Sequence, residues 1–391
     1  MNSHSPDMTN PQRIRRAMDC LSGQEHAPTL ADFAKAAHLF SQAKEVPFAK
    51  AKLAVMTALG CGVEQNVEAA SVSFVDAVMG GFPPLMTDMA VILEAYSSDL
   101  GADKGLVATL LRQAARQGDM RARYLLVRAG LRGEAYVGRD DWGGLRDSLP
   151  EDTPLLEGRY VNAPPIQPAQ IERAKMEAAM ASAFAPSAPS TATLCNEHDV
   201  RAVPRALTSM QCDYLIALSA PLMQPSKVVA DSGSLQAGYR TSDGAVILPA
   251  LMDMPLVQIL FSLSAAAGAA PQQGEFLSLL RYRPGQEYRP HHDYLSEDEA
   301  DYSQVGRTGQ RKLTLLTYLN EGYSGGETDF PDLDVRFKGS IGDTLIFANT
   351  DKDGKPLPKS RHAGRAVESG EKWLATLWIR EKNFWPWAAE N

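Results

Sequence analysis

The sequence is poor in cysteine and has no long hydrophobic run. Its four cysteines form no CxxC pair, which argues against both a disulfide framework and a cysteine-based zinc site. No stretch of about 18 apolar residues occurs, so no transmembrane helix is predicted. The first twenty residues contain no apolar core of the kind that secretion signals have. We therefore expect a cytoplasmic protein with reduced thiols and no membrane partner.

The chain also lacks an excess of basic residues. Its 39 Lys and Arg are outnumbered by 47 Asp and Glu, which gives a net charge of -8. Proteins that bind nucleic acid through phosphates need a basic surface to displace counterions. We expect no nucleic-acid partner. The hydrophobic fraction of 44% is that of a globular protein, and 391 residues are enough for two or three domains.

The N-terminal part predicts a helical repeat. Residues 1–27 are polar and predict a flexible arm, whereas residues 28–135 are Ala-rich with apolar positions three and four apart. A weak period near 37 relates Pro47-Phe48-Ala49 to Pro84-Leu85-Met86. The segment resembles Sel1-like or tetratricopeptide repeats, whose concave surface would hold a protein or peptide. The alternative is a plain helical bundle without a groove.

The rest of the chain divides into a linker and a strand-rich domain. Residues 136–200 are rich in Gly, Pro, Asp and Ser and predict a linker, with one spacer helix over 169–184 that starts at Pro168. In the domain over 201–391, a helix is predicted around 211–222. Short strands are predicted over 275–282, 313–319, 343–347 and 372–379, which is typical of a β-sandwich or barrel.

A candidate metal site begins in the stretch RYRPGQEYRPHHD at 281–293. If this stretch is extended, His291 and Asp293 point to one face and His292 to the other. Of the seven histidines, His362 is the remaining candidate for a third ligand within the strand-rich domain. Two histidines and one carboxylate that leave open coordination positions are typical of non-haem Fe(II) oxygenases.

The last predicted strand, KWLATLWIR, has two different faces. Lys372, Thr376 and Trp378 share one face, and the alternate residues form a purely apolar surface. A lysine that points into a barrel is costly unless an anion meets it. The strand therefore predicts an acidic ligand inside the domain.

These residues belong to a series of ordered motifs. Residues from about 210 to 387 resemble the prolyl 4-hydroxylase-like branch of the 2-oxoglutarate dioxygenases. The resemblance implies a double-stranded β-helix, or jelly roll, with flanking helices, so that the whole chain is an α+β multidomain protein. The matching pieces are the stretch at 281–293, RKLT at 311–314, YLN at 318–320, GGETDFP at 325–331, GD at 342–343, SRHAG at 360–364 and GEKW at 370–373.

The resemblance also implies roles for individual residues. His291, Asp293 and His362 would hold the iron and form the catalytic centre, and Lys372 would pair with the far carboxylate of 2-oxoglutarate. Tyr282, Thr376 and Trp378 would complete the cosubstrate site, and Arg240, Tyr288 and Tyr294 would contact substrate. The sequence departs from the pattern at Arg365 and Ala366, in the turn after His362. Two loops, 239–242 and 294–309, are expected to close over the substrate.

The implied activity is hydroxylation of an unactivated C–H bond, with a prolyl residue of a protein or peptide as the first expectation. The implied cofactors are Fe(II), 2-oxoglutarate, O₂ and ascorbate. Two alternatives stay open: hydroxylation of another residue or of a small molecule, and a helical-repeat adaptor with a silent oxygenase domain. Should Lys372 be a structural residue, Arg361, Arg365 or Arg380 would be the next candidates for the carboxylate anchor.

Overall fold

The N-terminal half of the computed structural model is built from helices. The structure describes residues 8–22, 29–97, 100–185, 189–196, 198–226, 240–296 and 305–387. Its first helices are α1 (Asn10–Ser22), α2 (Leu30–Gln42), α3 (Pro47–Leu59), α4 (Val67–Met79), α5 (Pro83–Tyr96), α6 (Leu100–Arg116), α7 (Met120–Leu131), α8 (Arg139–Asp147) and α9 (Arg173–Ala183). None of the helices in these ranges is long and apolar enough to cross a lipid bilayer.

Local sequence signals explain where these helices begin. Proline occupies the first turn of α3 and α5, and the side chains of Asn66 and Asp119 cap α4 and α7. Helices α3, α5 and α7 begin 36 and 37 residues apart, and α3 packs on α4 as α5 packs on α6. The predicted helical repeat is therefore confirmed, because each pair buries its apolar faces against the next.

The predicted spacer helix is present but starts later than expected. Helix α9 begins at Arg173 rather than Pro168, because the preceding prolines favour extended backbone and because Ala169 donates its N–H to the carbonyl of Gly105. The segment before α9 runs along the repeats: the Arg112 guanidinium donates to the Ile166 carbonyl at 3.0 Å. Helix α9 itself packs on α4 and α5.

The C-terminal half consists mainly of antiparallel strands. The strands are β1 (Ala192–Cys195), β2 (Val200–Val203), β3 (Gln224–Pro225), β4 (Asp243–Val246), β5 (Ser278–Tyr282), β6 (Tyr288–His291), β7 (Arg311–Tyr318), β8 (Ser324–Gly325), β9 (Thr328–Phe330), β10 (Val335–Phe337), β11 (Thr344–Ala348), β12 (His362–Gly364), β13 (Val367–Ser369) and β14 (Lys372–Arg380). The helices between them are α10 (Ser209–Ser219), α11 (Met254–Ala267) and α12 (Val305–Thr308).

Two sheets face each other and enclose a cavity. The larger sheet has the order β1-β2-β11-β7-β14-β5-β4-β3, the smaller sheet has the order β10-β9-β12-β6, and β13 pairs with β8. All of these pairs are antiparallel. The predicted jelly roll with flanking helices is confirmed, and its inner apolar side chains, such as Leu316 and Phe347, form a core between the two sheets.

Strand β14 connects the two cores of the molecule. Trp373, Ala375 and Leu377 face the helix-covered side and belong to a core that continues into the N-terminal helices. Leu374 faces the other sheet. The alternation predicted for this strand is therefore observed, and it places the other face of β14 in the cavity.

The helical and β-rich halves are joined by buried ion pairs. Asp213 on α10 is fully buried, and its carboxylate accepts from Arg128 of α7 at 2.8 Å and also pairs with Arg132, the C-terminal cap of that helix. At the chain's end, the Trp387 indole donates to the Leu59 carbonyl at 3.2 Å. A buried carboxylate that depends on another segment for its counter-ions makes the two halves thermodynamically interdependent.

We predict that the double replacement Arg128→Ala and Arg132→Ala destabilises the protein by about 3 to 5 kcal/mol, because Asp213 would keep a buried charge without a partner. Urea unfolding of the full chain measures this loss. Arg116→Ala, at an exposed position of α6, is the matched control and should cost less than about 0.5 kcal/mol. Equal losses in both variants would contradict a special role for Asp213.

Candidate active site

Three side chains meet at the open end of the jelly roll. His291 ends β6, His362 begins β12, and these two residues are paired across the smaller sheet. Asp293 follows β6 by two residues, and its two carboxylate oxygens each lie 3.6 Å from the Nε2 atom of one histidine. The candidate ligand atoms of all three lie within 4.8 Å of one another, so one metal ion could contact them after small side-chain shifts.

Backbone carbonyls orient the two imidazoles. The Nδ1 atom of His291 donates to the Arg289 carbonyl at 2.8 Å, and that of His362 donates to the Ser360 carbonyl at 3.1 Å. A carbonyl can only accept, so each Nδ1 carries the proton and each Nε2 keeps a free lone pair. Burial and the adjacent His291 lower the pKa of His362 to about 4, so this imidazole is neutral at pH 7, as a metal ligand must be.

Asp293 is held by a short chain of hydrogen bonds. Its Oδ2 accepts from the Thr314 hydroxyl at 2.8 Å, and Asn349 donates to that same hydroxyl oxygen at 2.8 Å. Burial alone would raise the pKa of the carboxyl. In acid, where the carboxyl would take up a proton, the positive charges of His362 and His291, together with Arg311, outweigh burial and hold this pKa well below its usual range. The carboxylate is thus ionised and fixed in orientation, as a metal ligand requires.

Lys372 lies in the same cavity and is 2% exposed. Its ammonium donates to the Gly326 carbonyl at 2.7 Å and lies 5.1 Å from the ring centroid of Tyr318. Within the described ranges, no carboxylate lies within 4.0 Å of it. Burial lowers the pKa of Lys372 to about 7, although the charge of Glu327 partly opposes this. A buried cation without a counter-ion favours the binding of an anion beside it.

Further polar groups of the cavity also lack partners. The Thr376 hydroxyl and the Trp378 indole N–H are buried and bond to none of the described residues. Both belong to the inward face of β14, next to Lys372. Tyr282 lies opposite Lys372 on β5, is buried, and hydrogen-bonds to Ser242. Buried donors without partners are uncommon in native proteins, so this set indicates a polar ligand.

The cavity mouth is formed by a stack of three side chains. The Tyr288 ring lies 3.4 Å from the His291 ring, centroid to centroid, and the Arg240 guanidinium lies 5.3 Å from the Tyr288 ring. Tyr294 does not line the cavity, because its ring packs 4.6 Å from the ring of His292. His292 bonds to the Pro358 carbonyl, away from the metal ligands. The two predicted loops lie partly outside the described residues, in particular Tyr239 and residues 297–304.

Four residues of the site had no role in the sequence-based prediction. Thr314 and Asn349 orient Asp293, although both are in or beside motifs that carried the resemblance. Arg311 lies 4.0 Å from the Trp378 ring centroid and donates to the Glu275 carboxylate at 2.7 and 3.0 Å. The alternation of β7 could have indicated Thr314, because it shares a face with Leu316. Glu275 could be found only from the folded chain.

A jelly roll with two histidines and one carboxylate at its open end defines the class of non-haem iron oxygenases. Comparison with known proteins agrees: residues 277–380 match the 2OG-Fe(II) oxygenase superfamily. Prolyl 4-hydroxylase 1 of Arabidopsis thaliana is 37% identical over 192 residues, which are 45% of this chain and 66% of that protein. A protein described as probable prolyl 4-hydroxylase 6 of the same plant is 34% identical over 199 residues, or 46% and 67% of the two chains.

The chain belongs to the 2OG-Fe(II) oxygenase superfamily, among the relatives of prolyl 4-hydroxylases. The match spans about two thirds of the length of these curated relatives. The cofactors of the superfamily are Fe(II), 2-oxoglutarate and O₂.

Solved structures resemble the two halves only weakly. The viral collagen prolyl hydroxylase of Paramecium Bursaria Chlorella virus-1 is 26% identical, with a TM-score of 0.37, and covers 48% of this chain and 98% of its own. A Sel1 repeat protein from Oxalobacter formigenes is 15% identical, with a TM-score of 0.29, and covers 36% of this chain and 55% of its own.

We predict that His291→Ala and His362→Ala each abolish metal binding and turnover while the fold persists. Each change removes one candidate ligand near the cavity and leaves the apolar cores intact. His292→Ala is the matched control, because this neighbouring imidazole bonds to Pro358 instead. Titration with Mn(II) and assay of succinate formation check the prediction. An inactive His292→Ala beside an active His291→Ala would disprove the ligand assignment.

We also predict that Thr314→Val weakens metal binding by about 10- to 100-fold, since Asp293 would lose the hydrogen bond that orients it. Thr317→Val is a close control: Thr317 is equally buried on the same strand, but its hydroxyl bonds to Thr344. Calorimetric titration with Mn(II) compares the two variants. If both lose the same affinity, the effect is one of stability and Thr314 does not orient the ligand.

Proposed function

We propose that this protein is an Fe(II)- and 2-oxoglutarate-dependent dioxygenase that hydroxylates prolyl residues of a protein or peptide. The observation that carries the proposal is the convergence of His291, Asp293 and His362 with Lys372 in one cavity. The first three would hold the metal. Lys372 lines the same cavity and would pair with an anion bound at that metal. A metal site alone would serve many reactions, but the added cation selects for an acidic cosubstrate.

Bound Fe(II) and 2-oxoglutarate supply the oxidising chemistry, with O₂ consumed and succinate and CO₂ released. The protein orients the metal-ligand side chains and keeps water out of the cavity. His291 and His362 present Nε2 lone pairs because their Nδ1 atoms are tied to carbonyls, and Thr314 holds Asp293 in place. The apolar walls exclude water, which strengthens every ionic contact inside the cavity. They are formed by Leu280, Leu316 and Leu374.

Lys372, Thr376, Tyr282 and Trp378 would hold the cosubstrate. The far carboxylate would pair with the Lys372 ammonium, and the unpartnered Thr376 hydroxyl would donate a second hydrogen bond. Tyr282 lies across from Lys372 and would narrow the same pocket. Trp378 is stacked against Arg311, and its free indole N–H remains available to an acceptor near the metal.

The proposed substrate is a prolyl residue of a polypeptide. The support is the similarity to proteins named prolyl 4-hydroxylases and the open stack of Arg240 and Tyr288 at the cavity mouth. Arg240 has a buried Nε–H without a partner among the described residues, which could bind a peptide carbonyl. Tyr288 and Tyr294 would contact the chain on either side of the target.

The remaining features complete the proposal. Ascorbate would keep the iron reduced, and the protein would act in the cytoplasm. We divide the chain into an N-terminal segment (1–27), a repeat domain (28–135), a linker (136–200) and an oxygenase domain (201–391). The sequence predicts a flexible arm for the N-terminal segment, but this segment contains α1, which packs on α2. The repeat domain would hold a protein substrate on its concave side.

Two other functions fit parts of the molecule. Hydroxylation of another residue or of a small molecule would use the same metal and lysine, since these groups do not contact the target. A helical-repeat adaptor with a silent oxygenase domain is less well supported, because it would give no reason for an uncompensated Lys372 and unpartnered donors to persist in the cavity.

Turnover of proline-rich peptides tests the proposal directly. The full chain is supplied with Fe(II), ascorbate, 2-oxoglutarate and a peptide library, and products are sequenced by mass spectrometry. We expect one added oxygen on proline, with succinate formed in equal amount, and none with the His291→Ala variant. An added oxygen on another residue would favour the first alternative. Absence of succinate under all conditions would favour the silent domain.

Lys372→Ala should weaken 2-oxoglutarate binding by roughly 30-fold to several thousand-fold, as expected for loss of one partner of a buried charge pair. Lys372→Arg keeps the positive charge but replaces a compact ammonium with a planar guanidinium, so a partial loss of 2-oxoglutarate affinity is expected. Calorimetry with Mn(II) in the absence of O₂ measures both. Normal 2-oxoglutarate affinity in Lys372→Ala would make Arg361, Arg365 or Arg380 the next candidates.

The wild-type affinity for 2-oxoglutarate should also depend on pH. The free enzyme's Lys372 has a pKa of about 7, and a bound carboxylate would raise it. Above pH 7 the lysine must therefore gain a proton on binding, and the affinity should fall by about tenfold per pH unit. Lys372→Arg should remove this decline, because a guanidinium stays charged.

A further inference from the structure

A second cavity lies where the helical repeats contact the oxygenase half, away from the metal ligands. Its volume is about 230 Å³. One side is formed by the rings of Phe48, Phe74 and Phe82, from α3, α4 and the start of α5. Leu251, in a short turn before α11, and Met254, the first residue of α11, also line the cavity. A concave apolar space between two parts of a chain is a common place for a small ligand.

One end of this cavity is polar and carries four charged side chains: Lys52, Asp88, Arg121 and Asp253. Lys52 donates to the carbonyls of Ala250 and Met252 at 2.9 and 2.8 Å, which uses two of its three hydrogens. Arg121 donates to the Tyr214 hydroxyl oxygen through Nη1 and to the Pro84 carbonyl through Nη2. The same Nη1 forms ion pairs with Asp88 and Asp253. The third Lys52 hydrogen and the Arg121 Nε–H have no acceptor among the described residues.

Asp88, in contrast, has an oxygen atom that is free to accept a hydrogen bond. Its Oδ1 lies 3.2 Å from the Tyr214 hydroxyl, which Asp253 approaches more closely, and forms an ion pair with Arg121 at 3.1 Å, but its Oδ2 accepts from none of the described residues. The side chain is 4% exposed. Burial raises the pKa of Asp88 to about 7, although Arg121 opposes the rise. A cationic group beside Oδ2 would keep this carboxyl ionised.

Two basic side chains, Lys52 and Arg121, face two carboxyl groups at this end. Burial lowers the pKa of Lys52, and the charges of Asp253 and Asp88 oppose this, so the four groups are balanced. A ligand with a net charge would leave a buried charge uncompensated, whereas a ligand with one charge of each sign would not. From this complementarity we propose that the cavity binds the zwitterion of a free apolar amino acid. The ligand's ammonium would pair with Asp88 and its carboxylate with Lys52 and Arg121. Its side chain would lie among the rings of Phe48, Phe74 and Phe82.

Binding to the full chain tests the proposal without use of turnover, so its outcome is independent of the hydroxylase assignment. Calorimetry compares leucine, methionine and phenylalanine with glycine, N-acetyl-leucine and leucinamide. We expect the apolar amino acids to bind at least about tenfold more tightly than glycine or either blocked derivative, because each of these lacks one of the three contacts. Equal binding of the blocked derivatives, or no binding of any compound, overturns the proposal.

Two variants separate the polar from the apolar contacts. Asp88→Asn should weaken leucine binding by about 30-fold or more. Because Asp88 also bonds to Tyr214 and Arg121, that variant could misfold; Phe48→Ala alters only a half-buried ring and should weaken phenylalanine binding by about tenfold. Glu68→Gln and Val72→Ala, both exposed on α4, are the controls. Unchanged affinity in Phe48→Ala contradicts the assigned cavity.

Crystals soaked with free selenomethionine locate the ligand. We expect an anomalous selenium peak inside this cavity, beside the mutually packed rings of Phe48 and Phe82. A peak at any other place, with this cavity empty, would show that the amino acid binds elsewhere and would refute the proposal.

Discussion

The pairing of β14 between β5 and β7 is the constraint on which the rest of the structure depends. A central strand has both faces covered, so each of its side chains must meet either a core or a ligand. Trp373 and the other apolar residues on the same face of β14 pack in the helix-covered core, whereas Lys372, Thr376 and Trp378 line the cavity. If the register of β14 shifted by one residue, Trp373 and the other apolar side chains of its face would point into the cavity, and Lys372 would point into the apolar core beneath the helices.

Strand β14 also connects the candidate cosubstrate residues with the candidate metal ligands. Trp378 pairs with Thr314 across the sheet, and Thr314 holds Asp293. Lys372 pairs with Tyr282, which is the last residue of β5. Tyr282 precedes the candidate ligand His291 by nine residues. The candidate cosubstrate residues and the threonine that orients Asp293 therefore lie on two strands that both pair with β14, so the hydrogen bonds of the sheet fix their separations.

The helical half is part of this framework. Asp213 lies on α10, which covers the outer face of the sheet, and its counter-ions come from α7 and its C-terminal cap. Because a buried carboxylate without partners is strongly unfavourable, the repeats contribute to the stability of the sheet that carries the site. This arrangement also creates the second cavity, since Asp253 and Leu251 approach α3 and α5 only when the halves are in contact.

The sequence by itself determined the elements and the identity of the candidate site residues. Proline and cap residues mark the helix starts, and the period near 37 predicts the repeat. Two-residue alternation assigns His291, Asp293, Lys372 and Thr376 to their strand faces. All of these signals are local in the sequence. Only the tertiary structure decided which distant groups meet. Glu275 with Arg311, Asp213 with Arg128, and Asp88 with Arg121 are partners from separate segments, and no local pattern encodes a contact that forms only when those segments pack together.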